Sequence, residues 1–426
     1  MILWLLATLA HAEPTAGTID LEEATRLALE RGVDLEQASL AVAEREIVVR
    51  TSQLAWLPNL SARMSTQASL GRTFSEQLGA NVTEPVASLA GSISTSMPLY
   101  QGGLLRAQRA EADAWLEAAR LDEAQARQDV VWAVADGLLA IGEAEADVEV
   151  RRAALQAAEA LEAQVAAFVE AGTRIRADLE AQRAEVEARR AALASAEQGL
   201  REAELNLVLL LRLDPDQRWT FEPPATIPSL PPDTSALVAM ASSRPAVASR
   251  RASVEASEAA AKAARASSLP SVSLGGSLST SYLTSNPNGF ESQLRDQYRA
   301  SVSVDLSVPI FDRGVNRARR QQADLAVRRA EIGLDSTLEG VAVEVRRIQA
   351  ARDTAEATLA AAEARVGAAE QAARLLRLRY EAGSADLISL TEAEADVVDA
   401  EVQRVRSASQ LRRASWLLAW TVGALG

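Results

Sequence analysis

The chain has no cysteine among its 426 residues. That excludes a disulfide framework, a thiolate nucleophile and a Cys-ligated metal. Its one histidine, His11, lies in an apolar leader. Its one lysine, Lys262, stands in Ala-Ala-Lys-Ala-Ala with no Gly-rich phosphate loop beside it. Triad hydrolases, zinc enzymes, P-loop ATPases and Schiff-base enzymes are thereby removed. Basic residues are also outnumbered. The 44 Lys+Arg face 58 Asp+Glu, a formal charge of −14, whereas nucleic-acid phosphates need a basic surface. Aromatics reach only 4 %, poor material for a large globular core, while abundant Ala favours long helices. Past the leader no run of apolar residues is long enough for a transmembrane helix. No catalytic, cofactor or metal constellation emerges.

What is present is a leader and a repeat. Residues 1–12 are apolar and end in Ala10-His11-Ala12, a small-x-small pattern that reads as a signal peptide. The competing reading is a merely hydrophobic N-terminus. Beyond it, Leu57-Pro58 recurs as Leu269-Pro270, at an offset of 212 in the numbering. Pro98-Leu99-Tyr100-Gln101-Gly102-Gly103 recurs as Pro309-Ile310-Phe311-Asp312-Arg313-Gly314, and Glu170-Ala171-Gly172 as Glu381-Ala382-Gly383, both at an offset of 211. Several landmarks at nearly one spacing mark a tandem duplication. The halves are expected at 13–213 and 234–426. Between them, 214–233 forms an irregular linker rich in proline.

Each half changes period in the same order. Residues from about Asp20 to Trp56 have helical spacing, with Leu35, Val42, Val49 and Trp56 seven apart. After Pro58 the period becomes two. Leu60, Ala62 and Met64 alternate with Ser61, Arg63 and Ser65, giving a strand pair over 59–98 with one apolar face and a turn region holding Asn81 and Pro85. The second half repeats this over 270–309, where Val302, Val304 and Leu306 alternate with Ser301, Ser303 and Asp305. Its loop carries Asn286-Pro287-Asn288-Gly289.

Long helical hairpins then follow at 103–213 and 314–423. Gly103 to Gly172 spans about 100 Å at helical rise, and no proline interrupts it. The series Leu338, Val341, Val345, Ile348, Ala355, Leu359, Ala362, Val366, Ala369, Ala373, Leu376 and Tyr380 keeps coiled-coil spacing. A returning ladder of sevens, Leu179, Val186, Leu193, Leu200 and Leu207, matches Leu390, Val397, Arg404, Leu411 and Leu418.

The fold class is thus mostly α with a small β part. Four amphipathic strands are too few to close a barrel, and open edges are intolerable in lipid. A lipid-facing, lumen-facing wall therefore requires several copies. The duplication, the Leu-Pro entry to each strand pair, the Pro-Leu-Tyr-Gln-Gly-Gly exit and the Glu-Ala-Gly turns together resemble the TolC-like outer membrane efflux protein family, from about Ile19 to Leu425. The resemblance implies a homotrimer with a 12-stranded transmembrane β-barrel and a periplasmic α-barrel of antiparallel coiled-coil helices. It also implies docking through a periplasmic adaptor protein to an inner-membrane transporter, an outer-membrane location, and no cofactor. The alternative is a periplasmic coiled-coil scaffold without a pore, which leaves the strands unexplained.

The resemblance singles out two groups of residues. Ala171, Gly172, Thr173, Arg174, Ala382, Gly383 and Ser384 would form adaptor-docking tips, while the need for a helix-ending glycine also accounts for Gly172 and Gly383. The family's inner-mouth carboxylates fall here on Ser389 and Glu392, with Asp386 one turn earlier and Asp178 in the first half. Ser389 departs from the family's pattern, since it supplies no carboxylate to a double acidic ring. Glu392 reads either as a gate acid that concentrates cations or as one of many solvated acids. From their place at the helix–strand junctions, Trp56, Tyr100 and Phe311 read as an aromatic belt or as junction packing.

Overall fold

The computed structural model describes residues 18–75, 79–83, 86–284, 286 and 288–425. The leader at 1–12, Pro85 and Pro287 lie outside the described residues. The first half runs β1 (Thr18–Ile19), α1 (Leu21–Arg31), α2 (Val33–Leu54), β2 (Asn59–Ser69), β3 (Thr73–Ser75), β4 (Ala80–Val82), β5 (Val86–Gln101), α3 (Leu104–Glu170) and α4 (Arg176–Leu210). After β6 (Thr220–Phe221) the second half runs α5 (Thr234–Ser242), α6 (Pro245–Ala266), β7 (Ser271–Leu283), α7 (Phe290–Asp296), β8 (Arg299–Ser307), α8 (Val315–Glu381) and α9 (Leu387–Thr421). The helices α3 and α8 have 67 residues each, and α4 and α9 have 35 each. Leu104 and Val315 start the first pair, Arg176 and Leu387 the second, so both pairs keep the offset of the turn glycines. The duplication visible in the landmarks holds along whole helices.

Two compact units are present, and neither is a sequence half. One comprises Met1–Leu40, Leu121–Ala248 and Ser336–Gly426; the other comprises Ala41–Arg120 and Ser249–Asp335. In the first unit, Val130, Val134, Leu138 and Ile141 of α3 pack with Leu207, Val208 and Leu211 at the end of α4 and with Ala24, Leu27 and Ala28 of α1. The parallel pair β1–β6 joins this core through Ile19 and Phe221. Of the α8 coiled-coil series, Val341, Val345, Ile348, Ala355, Ala362, Val366, Ala373 and Tyr380 are buried, while Leu338, Leu359, Ala369 and Leu376 are half-buried. Ala355, Ala362 and Ala373 among them let backbones approach closely. No described helix is long and apolar enough to cross a membrane.

The second unit holds a four-stranded antiparallel sheet in the order β2-β5-β7-β8. Opposed residues share a face, and the faces sort by polarity. Ala62, Ile93, Leu278 and Ala300 lie in one row, and Ser61, Ser94, Ser277 and Ser301 in a row of the other face. Among the described residues both outer strands, β2 and β8, keep one unpaired edge.

Several local expectations change. The single helix expected from about Asp20 to Trp56 is two helices, broken at Gly32. Gly32 is extended (φ −65°, ψ 128°), and a Cβ there would stand 2.5 Å from the Ala28 carbonyl oxygen. The strand expected to stop at Pro98 continues to Gln101 through a bulge between Pro98 and Tyr100, where proline lacks the N–H a regular ladder needs. The linker expected to be irregular contributes β6. The β7–β8 loop contains α7, tied down by the buried Gln293. Its Nε2 donates to the carbonyls of Leu283, Asn286 and Asn288, and its Oε1 accepts from the Leu283 N–H.

Candidate functional site

Both hairpin turns are built the same way. Gly172 (φ +73°) and Gly383 (φ +79°) take the left-handed conformation that ends a helix at lowest cost for glycine. The N–H groups of Gly172 and Thr173 donate to the carbonyls of Val169 (3.0 Å) and Phe168 (3.0 Å). Those of Gly383 and Ser384 donate to Tyr380 (3.0 Å) and Arg379 (2.8 Å). This crossed pair satisfies the orphan carbonyls of each helix end. The hydroxyls of Thr173 and Ser384 reinforce the same bonds, at 2.9 and 3.1 Å. A Cβ on either glycine would meet nothing within 4 Å, so the constraint is backbone φ alone. Ala171, Gly172, Thr173, Ala382, Gly383 and Ser384 are all exposed.

Arg174 differs from the other turn residues. Its Nη2 donates to the Tyr380 carbonyl at 2.7 Å and to the Ala385 carbonyl at 3.4 Å, and its guanidinium lies 4.3 Å from the Tyr380 ring centroid. It is a half-buried brace from the first turn onto the second hairpin. The matching residue in the second half is Ala385, so the brace exists once per chain. Tyr380 is 1 % exposed and packs with Leu161, Val165, Leu387 and Leu390, while its hydroxyl has no hydrogen-bond partner among the described residues. Burial pushes its phenol pKa up; Arg174 opposes this and Asp178 adds to it. Tyr380 reads from sequence as one more seam residue; the one signal of its second role is that the first half has Val169 there.

The inner-mouth candidates separate by environment. Asp386 caps α9, accepting the Ser389 N–H at 2.7 Å, and the bonds from the Ser389 N–H and hydroxyl hold its carboxyl below the ordinary range. Ile175 at the start of α4 offers no such cap. Ser389 is therefore spent on the local turn. Glu392 is exposed and has no ion pair among the described residues, and Asp178 is half-buried in the first turn of α4. The neighbouring Glu394 is engaged by Arg377.

At the strand ends, Trp56 (37 %), Tyr100 (53 %) and Phe311 (86 %) are all exposed. Tyr100 stands within β5, opposite Val272, rather than beyond the strand. Leu57, Leu99, Leu269 and Ile310 are exposed beside them.

The family model "Outer membrane efflux protein" matches this chain twice, over 24–211 and 237–424. The pyoverdine export outer membrane protein OpmQ of Pseudomonas putida is 24 % identical over 391 residues, covering 91 % of this chain and 82 % of the relative. A membrane protein from Pseudomonas aeruginosa has a similar structure, with TM-score 0.82 at 23 % identity over 95 % of this chain and 90 % of the other. The CmeC outer membrane channel of Campylobacter jejuni gives TM-score 0.80 at 17 % identity, over 97 % and 90 %.

Proposed function

Because the chain belongs to the outer membrane efflux protein family, we propose that it works as a homotrimeric exit duct, the outer-membrane member of a tripartite efflux or type I secretion system. Its sheet lies in the outer membrane and its helices in the periplasm. An inner-membrane transporter supplies the energy and selects the cargo, and a periplasmic adaptor docks on the turns at Ala171–Thr173 and Ala382–Ser384.

The observation that carries the oligomeric reading is an apolar stripe left bare in one half and covered in the other. On α2, Leu40, Ile47 and Leu54 are seven apart and 59, 62 and 54 % exposed. Their counterparts in the second half, Ala252, Ala259 and Ala266 of α6, are 5, 4 and 6 % exposed. An exposed leucine–isoleucine heptad stripe calls for a second helix, and the open edges of β2 and β8 call for further strands. Neighbouring copies supply both.

At the inner mouth, threefold repetition of Glu392 and Asp178 concentrates cations. The test is conductance of the detergent-purified chain in planar bilayers. Pores with weak cation selectivity are expected, and Glu392→Gln should lower that selectivity. A water-soluble monomer that conducts nothing overturns the duct; an unchanged reversal potential in Glu392→Gln overturns the role of Glu392.

A further inference from the structure

The charged residues of the described sheet strands are Arg63, Arg299 and Asp305. All three sit on the outer strands β2 and β8; the inner strands β5 and β7 carry no charge. Arg63 faces the serine side, in a row with Ser92, Ser279 and Arg299, and Asp305 faces the same side, opposite Ser273. Arg63 has no ion pair among the described residues, and Asp305 accepts only the hydroxyl of Ser303 there, at 2.9 Å.

The duplication makes the pairing of the two open edges calculable. A shift of 212 carries β2 onto β7, and a shift of 211 carries β5 onto β8. The structure obeys this: the Ser61↔Ser94 pair maps onto Ser273↔Asp305, which is observed. The same shifts carry the β5–β7 seam onto a seam between β8 of one copy and β2 of the next. Ser96↔Gly275 becomes Ser307↔Arg63, Ser94↔Ser277 becomes Asp305↔Ser65, and Ser92↔Ser279 becomes Ser303↔Gln67. Thr95↔Gly276 becomes Leu306↔Met64, and Ile93↔Leu278 becomes Val304↔Thr66. Polar residues meet polar, and Val304 and Leu306 meet Thr66 and Met64 on the opposite face, as a continuous two-faced wall demands.

Building on the trimeric duct proposed above, we infer that each barrel seam closes in this register and is held by an ion pair between Asp305 of one copy and Arg63 of the next. The two residues are diagonal neighbours, about 7–8 Å apart at the backbone and within reach of an arginine side chain. At the corresponding seam inside the chain the residues are Ser94 and Gly275, so the charge pair belongs to the joint between copies. There it favours one register over slipped ones, since a slip of two residues keeps the faces but moves Asp305 relative to Arg63.

Because the chain has no cysteine, every disulfide introduced is informative. Ser303→Cys with Gln67→Cys places thiols directly opposite across the seam. Ser301→Cys with Gln67→Cys reports a two-residue slip, and its diagonal separation exceeds disulfide reach in the inferred register. Oxidation in detergent should give a covalent trimer with the first pair and none with the second. Charge reversal by Arg63→Asp or Asp305→Arg should lower the temperature at which the trimer dissociates in SDS, and the double reversal should recover it. A covalent trimer from the slipped pair overturns the register. Trimers that form but link with neither pair do the same. Single and double reversals indistinguishable from the parent remove the ion pair. A parent chain that is monomeric in mild detergent defeats the duct itself, an outcome separable from the others.

Discussion

Replacing Arg174 with alanine tests whether that side chain is a brace or an adaptor contact. The substitution deletes the 2.7 Å bond to the Tyr380 carbonyl, the longer one to Ala385 and the cation–π contact at 4.3 Å. Hydrogen bonds from charged groups contribute about 1.5–3 kcal/mol, and a guanidinium over an aromatic face about 0.5–2 kcal/mol. Arg174 is half-buried, so water recovers part of both, and the expected net loss is about 2 kcal/mol. At about 1.4 kcal/mol per decade this is roughly a 30-fold rise in local opening. Hydrogen exchange followed by mass spectrometry on the detergent-solubilised protein reads it directly. Amides of 168–174 and 380–386 should exchange about 30-fold faster, with the middle of α3 and α8 unchanged. Arg174→Lys, which keeps the charge over the ring but loses the fork, should fall between. Exchange altered by less than about threefold at both turns, roughly 0.6 kcal/mol, would refute the brace. Loss of adaptor binding without faster exchange would return Arg174 to the docking surface.

Other outcomes follow from single sites. Tyr380→Phe removes a buried hydroxyl without a partner and should be neutral or stabilising by up to about 1 kcal/mol, whereas Tyr380→Ala should cost about 3–5 kcal/mol; thermal melts distinguish them. Gly102→Ala puts a Cβ 2.6 Å from that of Leu269 at φ +61° and should destabilise by about 3 kcal/mol. The matching Arg313 holds φ +57°, so Arg313→Gly should stabilise by about 1 kcal/mol. Burial raises the carboxyls of Glu145 and Glu204, and Glu204 raises Glu145 further. Their folded pKa values lie above the unfolded one, so ionisation opposes folding as pH rises through 4.5 and beyond. Glu204→Gln should therefore raise stability at neutral pH and make no difference well below that value. Asp386 has the opposite sign: its capping contribution is present above 3.8 and is lost as pH falls through its lowered value.

Periodicity makes the long elements legible in the sequence. Sustained three-four spacing cannot serve a strand, and alternation beside proline cannot serve a helix, so the hairpins can be placed from Leu179, Val186 and their equivalents, and the strand pairs from Leu60, Ala62, Val302 and Val304. What periodicity misses is short or relational. The pair β1–β6 is too short to have a period and joins the start of the first half to the linker that follows it. The short helix α7 is pinned by one glutamine, whose partners are backbone groups of a loop. The break at Gly32 sits inside a run that is apolar-periodic on both sides. Of the candidate site, the turn glycines are readable because positive φ leaves a trace in composition. The brace is not, since Arg174 looks like any exposed basic residue until Tyr380 is beside it. Asp386 as a cap is within reach, because an acid three residues before a helical Ser389 is a common start signal.

The inequality of the two turns has an evolutionary reading. The first lends a guanidinium to its sibling and starts its return helix without a side-chain cap; the second receives that guanidinium on its carbonyls and caps itself with Asp386. A protein made of two copies of the first half would lack the ring beneath the guanidinium, and one made of two copies of the second would have no donor to offer. The chain's halves have thus specialised into giver and receiver of one guanidinium.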